Sequence, residues 1–436
     1  MKIFSQIQEN LLQLITSKFS RQVATLATGT SIAQIITIAT SPIITRLFSP
    51  ESLGVSALFI SIIGPLAIIS TLSYPIAIVL PRNQSQAVKL ILLSIYLAVV
   101  FTFALIILWL ISEQKISEIF DTNSIQSYAY LAPLAILGTS ISGIITQWLI
   151  RNKSFLLISK IAIITAIITS AIKIIVGYYY PDPIVLIYSA IIGYYISLFY
   201  IKFIQPDEFI EIKFFNFSKK HFLQLYNISI KYLDFLIYRT PQTLLNYMNH
   251  SISIFMLTLL FGLESAGYYS LAFAVLSVPI TVISGSVYQA IYPKINSVFL
   301  DGQSIYPYLI KSILWLSVFG LLPTITLIFF GKEIFTFIFG DEWEKTGIYV
   351  QFMSVALFFY YIGRPIFAAI PVLKLQRDLL FWEVCDLILR SLIFYFAYKY
   401  NFNDLFVISL LSIFTSINIL ALMLYVLIKS KKLSIS

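Results

Sequence analysis

Twelve apolar stretches, each about 20 residues or longer and separated by short polar breaks, follow one another from residue 22 to residue 428. They fall at 22–45, 54–80, 89–112, 127–150, 155–177, 184–204, 235–262, 266–292, 307–331, 346–371, 379–398 and 404–428. As helices, such runs cross the roughly 30 Å of hydrocarbon in a bilayer, because each residue adds about 1.5 Å. A spanning β-barrel would need short segments of alternating polarity, and none is present. With 59% hydrophobic and 11% charged residues, the chain carries more apolar surface than a water-soluble core can hide. Lipid is therefore the solvent for most of it.

Charge placement sets a direction. Most of the 29 Lys and Arg residues lie in breaks on the side of the two termini. Only Arg46, Lys115, Lys332, Lys345 and Lys399 fall on the opposite side. The positive-inside rule then predicts cytoplasmic termini, in a multi-pass protein of a bacterial inner membrane. The net charge of +9 reads as topology and not as a nucleic-acid surface. The single cysteine, Cys385, sits in an apolar run and leaves no disulfide or thiolate metal site to build.

Residues 1–21 place apolar side chains at helical spacing against Gln6, Glu9 and Gln13, and no cleavage site follows. They predict an amphipathic cytoplasmic segment on the membrane surface. The longest polar break, 205–234, separates six spans (22–204) from six more (235–428) as a cytoplasmic linker with an interfacial stretch. A short cytoplasmic tail, 429–436, ends the chain.

The halves share a written hinge. TRLFSPESLGVSAL, Thr45–Leu58, returns as TLLFGLESAGYYSL, Thr258–Leu271, with Thr, Leu, Phe, Glu, Ser, Gly and Leu in register. Six spans separate the copies, so both face the same way, as in parallel transporter repeats related by an axis along the membrane normal. A second echo, Pro81-Arg82 and Pro293-Lys294, is expected where spans 2 and 8 leave the membrane. The shared Glu51 and Glu264 suit the positive start of the following helix, a structural role. The expected fold is an all-α integral membrane protein of 12 transmembrane helices, in two six-helix lobes related by a pseudo-two-fold along the membrane normal.

At these residues the chain resembles a known family. GTSIAQ (Gly29–Gln34), SPIITRLFSPESLG (Ser41–Gly54), KYLDFLIYRTPQTLLN (Lys231–Asn246) and FGLESAGYYSLAFAVLSVPI (Phe261–Ile280) are similar to the Wzx-type polysaccharide flippases. These belong to the multidrug/oligosaccharidyl-lipid/polysaccharide exporter superfamily. The resemblance implies a two-lobed transporter that flips undecaprenyl-pyrophosphate-linked oligosaccharides for O-antigen or another surface glycan. A polysaccharide polymerase and a chain-length regulator are the protein partners expected beside membrane lipids.

An ionisable group near the bilayer centre costs about 3 kcal/mol on insertion scales, so each one is a functional candidate. The basic ones are Lys160, Lys173, Arg239, Arg364 and Arg390; the acids are Glu383 and Asp386, with Asp234 at the inner edge of span 7. A cationic interior suits an anionic passenger, and guanidinium groups pair their donors on phosphate oxygens. Arg239, Arg364, Lys173, Arg390 and, at the outer mouth, Arg46 are candidates for the substrate path, with Asn246 and Asn249 for sugar hydroxyls. Lys160 is positioned to snorkel to the inner surface. Asp386 and Arg390 stand four apart as an ion pair, whereas Glu383 has no evident partner. Asp234, Glu383, Asp386, Thr415 and Asn418, with Ser412, offer hard oxygen ligands for a coupling Na⁺ or carriers for H⁺; His250 is a further proton candidate.

Two other function classes fit less well. A multidrug antiporter of the same superfamily exports cations and uses a buried acid in its first half, where spans 1–6 offer none. A membrane enzyme of polysaccharide assembly would need a sizeable catalytic loop or an acidic metal motif. No nucleotide-binding glycine loop is present either, so the expectation is a non-enzymatic carrier without a resident cofactor.

Overall fold

The fold is taken from a computed structural model, which describes residues 18–119, 128–204 and 219–432. Among the described residues every element is helical. In chain order these are α1 Lys18–Leu47, α2 Pro50–Thr71, α3 Tyr74–Ala77, α4 Gln84–Ile119, α5 Ala132–Arg151, α6 Phe155–Tyr179, α7 Pro183–Ile204 and α8 Lys219–Lys231. A π-helical turn, Phe235–Arg239, leads into α9 Thr240–Phe261. Then come α10 Leu263–Leu300, α11 Tyr306–Phe339, α12 Glu344–Ile362, α13 Arg364–Val372, α14 Gln376–Tyr400 and α15 Asp404–Lys432.

Ten of these segments are long and apolar enough to cross a membrane, or 11 when the bent pair Phe235–Asn249 and Ser251–Phe261 counts as one. The remaining expected span coincides with α14. At 25 residues it is long enough, but Glu383, Asp386 and Arg390 in its middle lower its hydropathy. The reason it stands apart is thus the chemistry it carries. Conversely, α11 has none of its most apolar window buried within the protein, and Phe319, Leu322, Phe329 and Phe337 are exposed on it. Such a surface belongs against lipid.

The chain divides into two compact units that do not coincide with the sequence halves. One unit gathers the described residues of Met1–Ala39, Leu66–Lys173 and Tyr188–Thr243. Its core joins Tyr74, Ile78, Leu90, Ile91, Ile144 and Trp148 to Leu225 and Ile228 of α8. That helix lies within the expected linker and is amphipathic: Phe222, Leu223, Tyr226 and Ile230 point away from the core and are exposed. Residues 1–17 and 205–218, the bulk of the two other expected interfacial stretches, lie outside the described residues.

The second unit comprises Thr40–Pro65, Ile174–Ile187 and the described residues of Leu244–Ser436. It therefore takes from the first half the hinge-bearing end of α1 with most of α2, and the end of α6 with the start of α7. The two hinges match closely: α1 ends at Leu47 and α2 starts at Pro50, while α9 ends at Phe261 and α10 starts at Leu263. Glu51 and Glu264 each lie in the first turn of the new helix, as expected. The turns differ at one point, where Gly262 adopts φ 85°, a conformation that favours glycine over the Ser49 at the equivalent place.

The second echo is corrected. Pro81 lies beyond a break at Leu72 and Ser73, both left-handed at φ 51° and 56°, whereas Pro293 lies inside the unbroken helix α10. The two Pro-basic pairs thus occupy different local structures, and α10 runs on to Leu300. In the first copy Arg151 donates to the carbonyls of Ile78 and Pro81, capping the broken segment.

The GTSIAQ stretch has a packing role in the first unit. A Cβ on Gly29 would lie 2.2 Å from the Ser159 Cβ of α6, while Ser159 Oγ donates to the Thr25 carbonyl at 2.9 Å. Gly29→Val is expected to cost about 1–3 kcal/mol through overpacking. A clear fall in the thermal midpoint of the purified protein checks this, and an unchanged midpoint contradicts it.

Candidate functional site

In the second unit α14 meets α15 on one side and α9 on the other. Toward α15, Arg390 Nε donates to Asp386 Oδ2 at 2.7 Å, and Asn418 Nδ2 donates to Asp386 Oδ1 at 2.7 Å. Arg390 Nη2 also donates to Thr415 Oγ1 at 3.0 Å. Asp386 is buried, so the i,i+4 pair is largely withdrawn from solvent and both carboxylate oxygens are engaged. The oxygen ligands expected to hold an ion are here filled by a guanidinium. A cation would have to displace Arg390 before reaching Asp386, Thr415 and Asn418.

Toward α9, Asn246 Nδ2 donates to Glu383 Oε1 at 3.1 Å, and Asn249 Nδ2 donates to the Glu383 carbonyl at 3.3 Å. Sequence alone does not reveal the partners of Glu383, because the amide that reaches its carboxylate comes from a helix 137 residues away in the chain. On the same face of α9, Asn249 Oδ1 and Ser253 Oγ are buried and have no hydrogen-bond partner among the described residues. Asn249 bonds the Glu383 backbone and Asn246 its carboxylate, so facing surfaces of α9 and α14 carry oxygen groups of the kind a proton or small hard cation uses.

Arg364 opens α13 just after Gly363, as the Gly-Arg-Pro sequence predicts. Its guanidinium carbon lies 4.2 Å from the centre of the Tyr360 ring. Its Nε is buried without a hydrogen-bond partner, and no carboxylate pairs with it among the described residues. Cation–π contact recovers part of the cost of burying a charge, about 2 kcal/mol when desolvated, and leaves Nε as an unused donor.

The other candidates are placed less centrally. Arg239 ends the π-helical turn, is exposed, and donates to Gln242 Oε1 at 2.9 Å. Asp234, just before that turn, is exposed too. Both belong to the first unit, as does Lys173, which is half-buried in α6. Lys160 is exposed, consistent with snorkelling, and Arg46 is exposed in the last turn of α1. The side chain of His250 lies outside the described residues.

One cluster escapes sequence reasoning. Asp404, at the start of α15, accepts hydrogen bonds from Tyr349 Oη at 2.5 Å and Ser265 Oγ at 3.1 Å, and pairs with Lys345 at 2.5 Å. From sequence Asp404 reads only as a helix-start acid, since its partners lie on two distant helices, α10 and α12. The shared serine of the hinge motif, Ser265, is the sole hint.

The sequence profile of one family, Polysaccharide biosynthesis protein, matches residues 43–347. The chain belongs to that family. No curated protein sequence matches it. Among solved structures, this family member is similar to a multidrug resistance MATE family transporter of the MOP superfamily in an inward-facing conformation. There the TM-score is 0.64 and the identity 13%, covering 96% of this chain and 97% of that one. It is also similar to a mutant Vibrio cholerae MATE transporter, VcmN, with TM-score 0.59 and 14% identity over 97% and 100% of the chains. A MOP superfamily transporter from Pyrococcus furiosus, described by a binding pocket of reverse polarity, gives TM-score 0.60 and 14% identity over 97% and 98%. At these identities the likeness defines the fold, which is the two-lobed one expected from the repeats.

The Asp386–Arg390 pair makes a direct prediction. Asp386→Asn leaves Arg390 half-buried without its counter-charge and should cost about 3 kcal/mol. Adding Arg390→Met should recover much of the lost thermal stability. Equal melting of wild type and Asp386→Asn would show that the pair contributes nothing to the fold.

Proposed function

We propose that this polysaccharide biosynthesis family member is a flippase. It carries undecaprenyl-pyrophosphate-linked oligosaccharide repeat units across the bacterial inner membrane, from the cytoplasmic face, for O-antigen or another surface polysaccharide. The observation that carries the reading is the inequality of its two half-buried arginines in the second unit. Arg390 is neutralised by Asp386, but Arg364 has Tyr360 beside it, no carboxylate among the described residues, and a buried Nε donor without a partner. A pyrophosphate supplies the missing acceptors, and charge-assisted bonds to it are worth about 1.5–3 kcal/mol each. Arg239, Lys173 and Arg46 are the further basic residues assigned to the substrate path in this reading. A multidrug antiporter remains the second reading, on the shared fold alone; an uncompensated half-buried cation disfavours cationic drugs.

In this account the halves rock between inward- and outward-open states with both termini cytoplasmic, while the lipid tail stays in the bilayer. Glu383, with Asn246, Asn249 and Ser253, takes the coupling Na⁺ or H⁺. Asp386, Thr415 and Asn418 reach an ion only if Arg390 swings away, for instance onto the anionic passenger, which would link loading to coupling. Asp234 and His250 are the remaining proton candidates. The chain itself performs no bond chemistry; a polymerase and a chain-length regulator act on the delivered unit.

Deleting the gene should leave complete undecaprenyl-linked repeat units on the cytoplasmic face, and wild type should clear them. Arg364→Gln should slow clearance about tenfold, with Arg364→Lys intermediate because it keeps charge but loses the planar fork. An unchanged lipid-linked pool together with altered drug resistance would overturn the reading. Glu383→Gln should abolish the dependence of transport on the driving ion; full dependence in that variant would remove Glu383 from the coupling site.

A further inference from the structure

The two copies of the repeated hinge touch each other. A Cβ on Gly54 would lie 1.9 Å from the carbonyl oxygen of Leu263, and a Cβ on Gly267 would lie 1.9 Å from the carbonyl oxygen of Pro50. The same added carbons would each stand 3.1 Å from the backbone nitrogen of the other glycine. Gly54 and Gly267 are equivalent positions of the two copies, and so are Pro50 and Leu263. The contact therefore maps onto itself when the copies are exchanged, which is the signature of a two-fold interface. Neither glycine has a positive φ, so closeness alone demands glycine here. Any side chain would hold the two backbones apart.

Hydrogen bonds from Trp343 and Thr45 also tie the first hinge to the end of α11 and the turn after it. Trp343, fully buried, donates its indole N–H to the Thr45 carbonyl at 2.9 Å. Thr45 Oγ1 donates to the Phe339 carbonyl at 3.3 Å. The Trp343 ring is positioned by Tyr268, edge-on at 6.1 Å, and Tyr268 in turn meets Tyr349 at 6.2 Å. Tyr349 and the hinge residue Ser265 are both fixed by Asp404. One side of the junction is thus held rigid by the buried cluster that sequence reasoning missed.

We infer that the repeated hinge is the seal closing the outer end of the transport path, with Gly54 and Gly267 as its mating surfaces and Trp343 as its latch. The inference rests on the alternating-access reading above. Backbone-to-backbone contact of small residues packs tightly without interlocking side chains. It can therefore part and re-form with two hydrogen bonds exchanged and no side chain extracted from a socket. The shared Gly of the motif is retained in both copies because each is the other's partner.

The test uses the full chain in membrane vesicles. Cys385→Ala removes the native cysteine, and Ser52→Cys, at a buried hinge position, serves as reporter for a membrane-impermeant maleimide added from outside. With the seal as described, Gly54→Ala and Gly267→Ala each raise the labelling rate about tenfold and lower transport by a similar factor. Trp343→Phe, which keeps the ring and loses the donor, raises labelling to a smaller extent and guards against misfolding of the glycine variants. Unchanged labelling in all three correctly folded variants overturns the seal, whatever transport does. Raised labelling with undiminished transport supports the seal and overturns the rocking cycle instead.

Discussion

A charge inside hydrocarbon must find an opposite charge, a hydrogen-bond partner or a route to water. That constraint organises the second unit. Asp386 and Arg390 satisfy it together, with Asn418 and Thr415 closing the remaining donors and acceptors. Glu383 satisfies it with amides from α9. Arg364 satisfies it only in part, over the face of Tyr360. Because the surrounding charges are spoken for, the incomplete one is where an anion has most to gain. The functional reading rests on that contrast more than on the number of charges.

The second organising feature is the repeat. Two six-span halves could have diverged until nothing recognisable remained, yet the hinge kept Glu, Ser and Gly in register. The structure gives each of them a separate reason. The glutamates start helices, Ser265 holds Asp404, and the glycines meet across the junction. This junction also explains why the compact units cut across the sequence halves: the hinge-bearing end of α1 and most of α2 pack with the second half.

Much of the fold was legible in the sequence, because apolar run length and loop charge report on lipid directly. At the hinges the helix ends came out within two residues, while the helix starts lie three and four residues earlier than hydropathy placed them, because a polar first turn is still helix. The break at Leu72 and Ser73 was not legible, because two non-glycine residues held left-handed depend on tertiary packing. Nor was the continuation of α10 through Pro293, where a proline that often ends a helix is accommodated within one. At the candidate site, the Asp386–Arg390 pair could be read from an i,i+4 spacing. The partners of Glu383 and Asp404 could not, because each comes from a helix far along the chain. That Arg390 also reaches Thr415, and Asn418 the other oxygen of Asp386, was not readable from spacing, because both come from α15.

The most direct test of the central claim is a reconstituted flipping assay. Purified protein is placed in liposomes containing an undecaprenyl-pyrophosphate-linked oligosaccharide, and access of an impermeant glycosidase to the sugar is followed in time. The account predicts that the protein exposes glycan initially protected in the lumen, and that a neutral lipid-linked glycan without the pyrophosphate is not moved. Glycan that stays protected, or neutral and charged lipids moved equally, would contradict it.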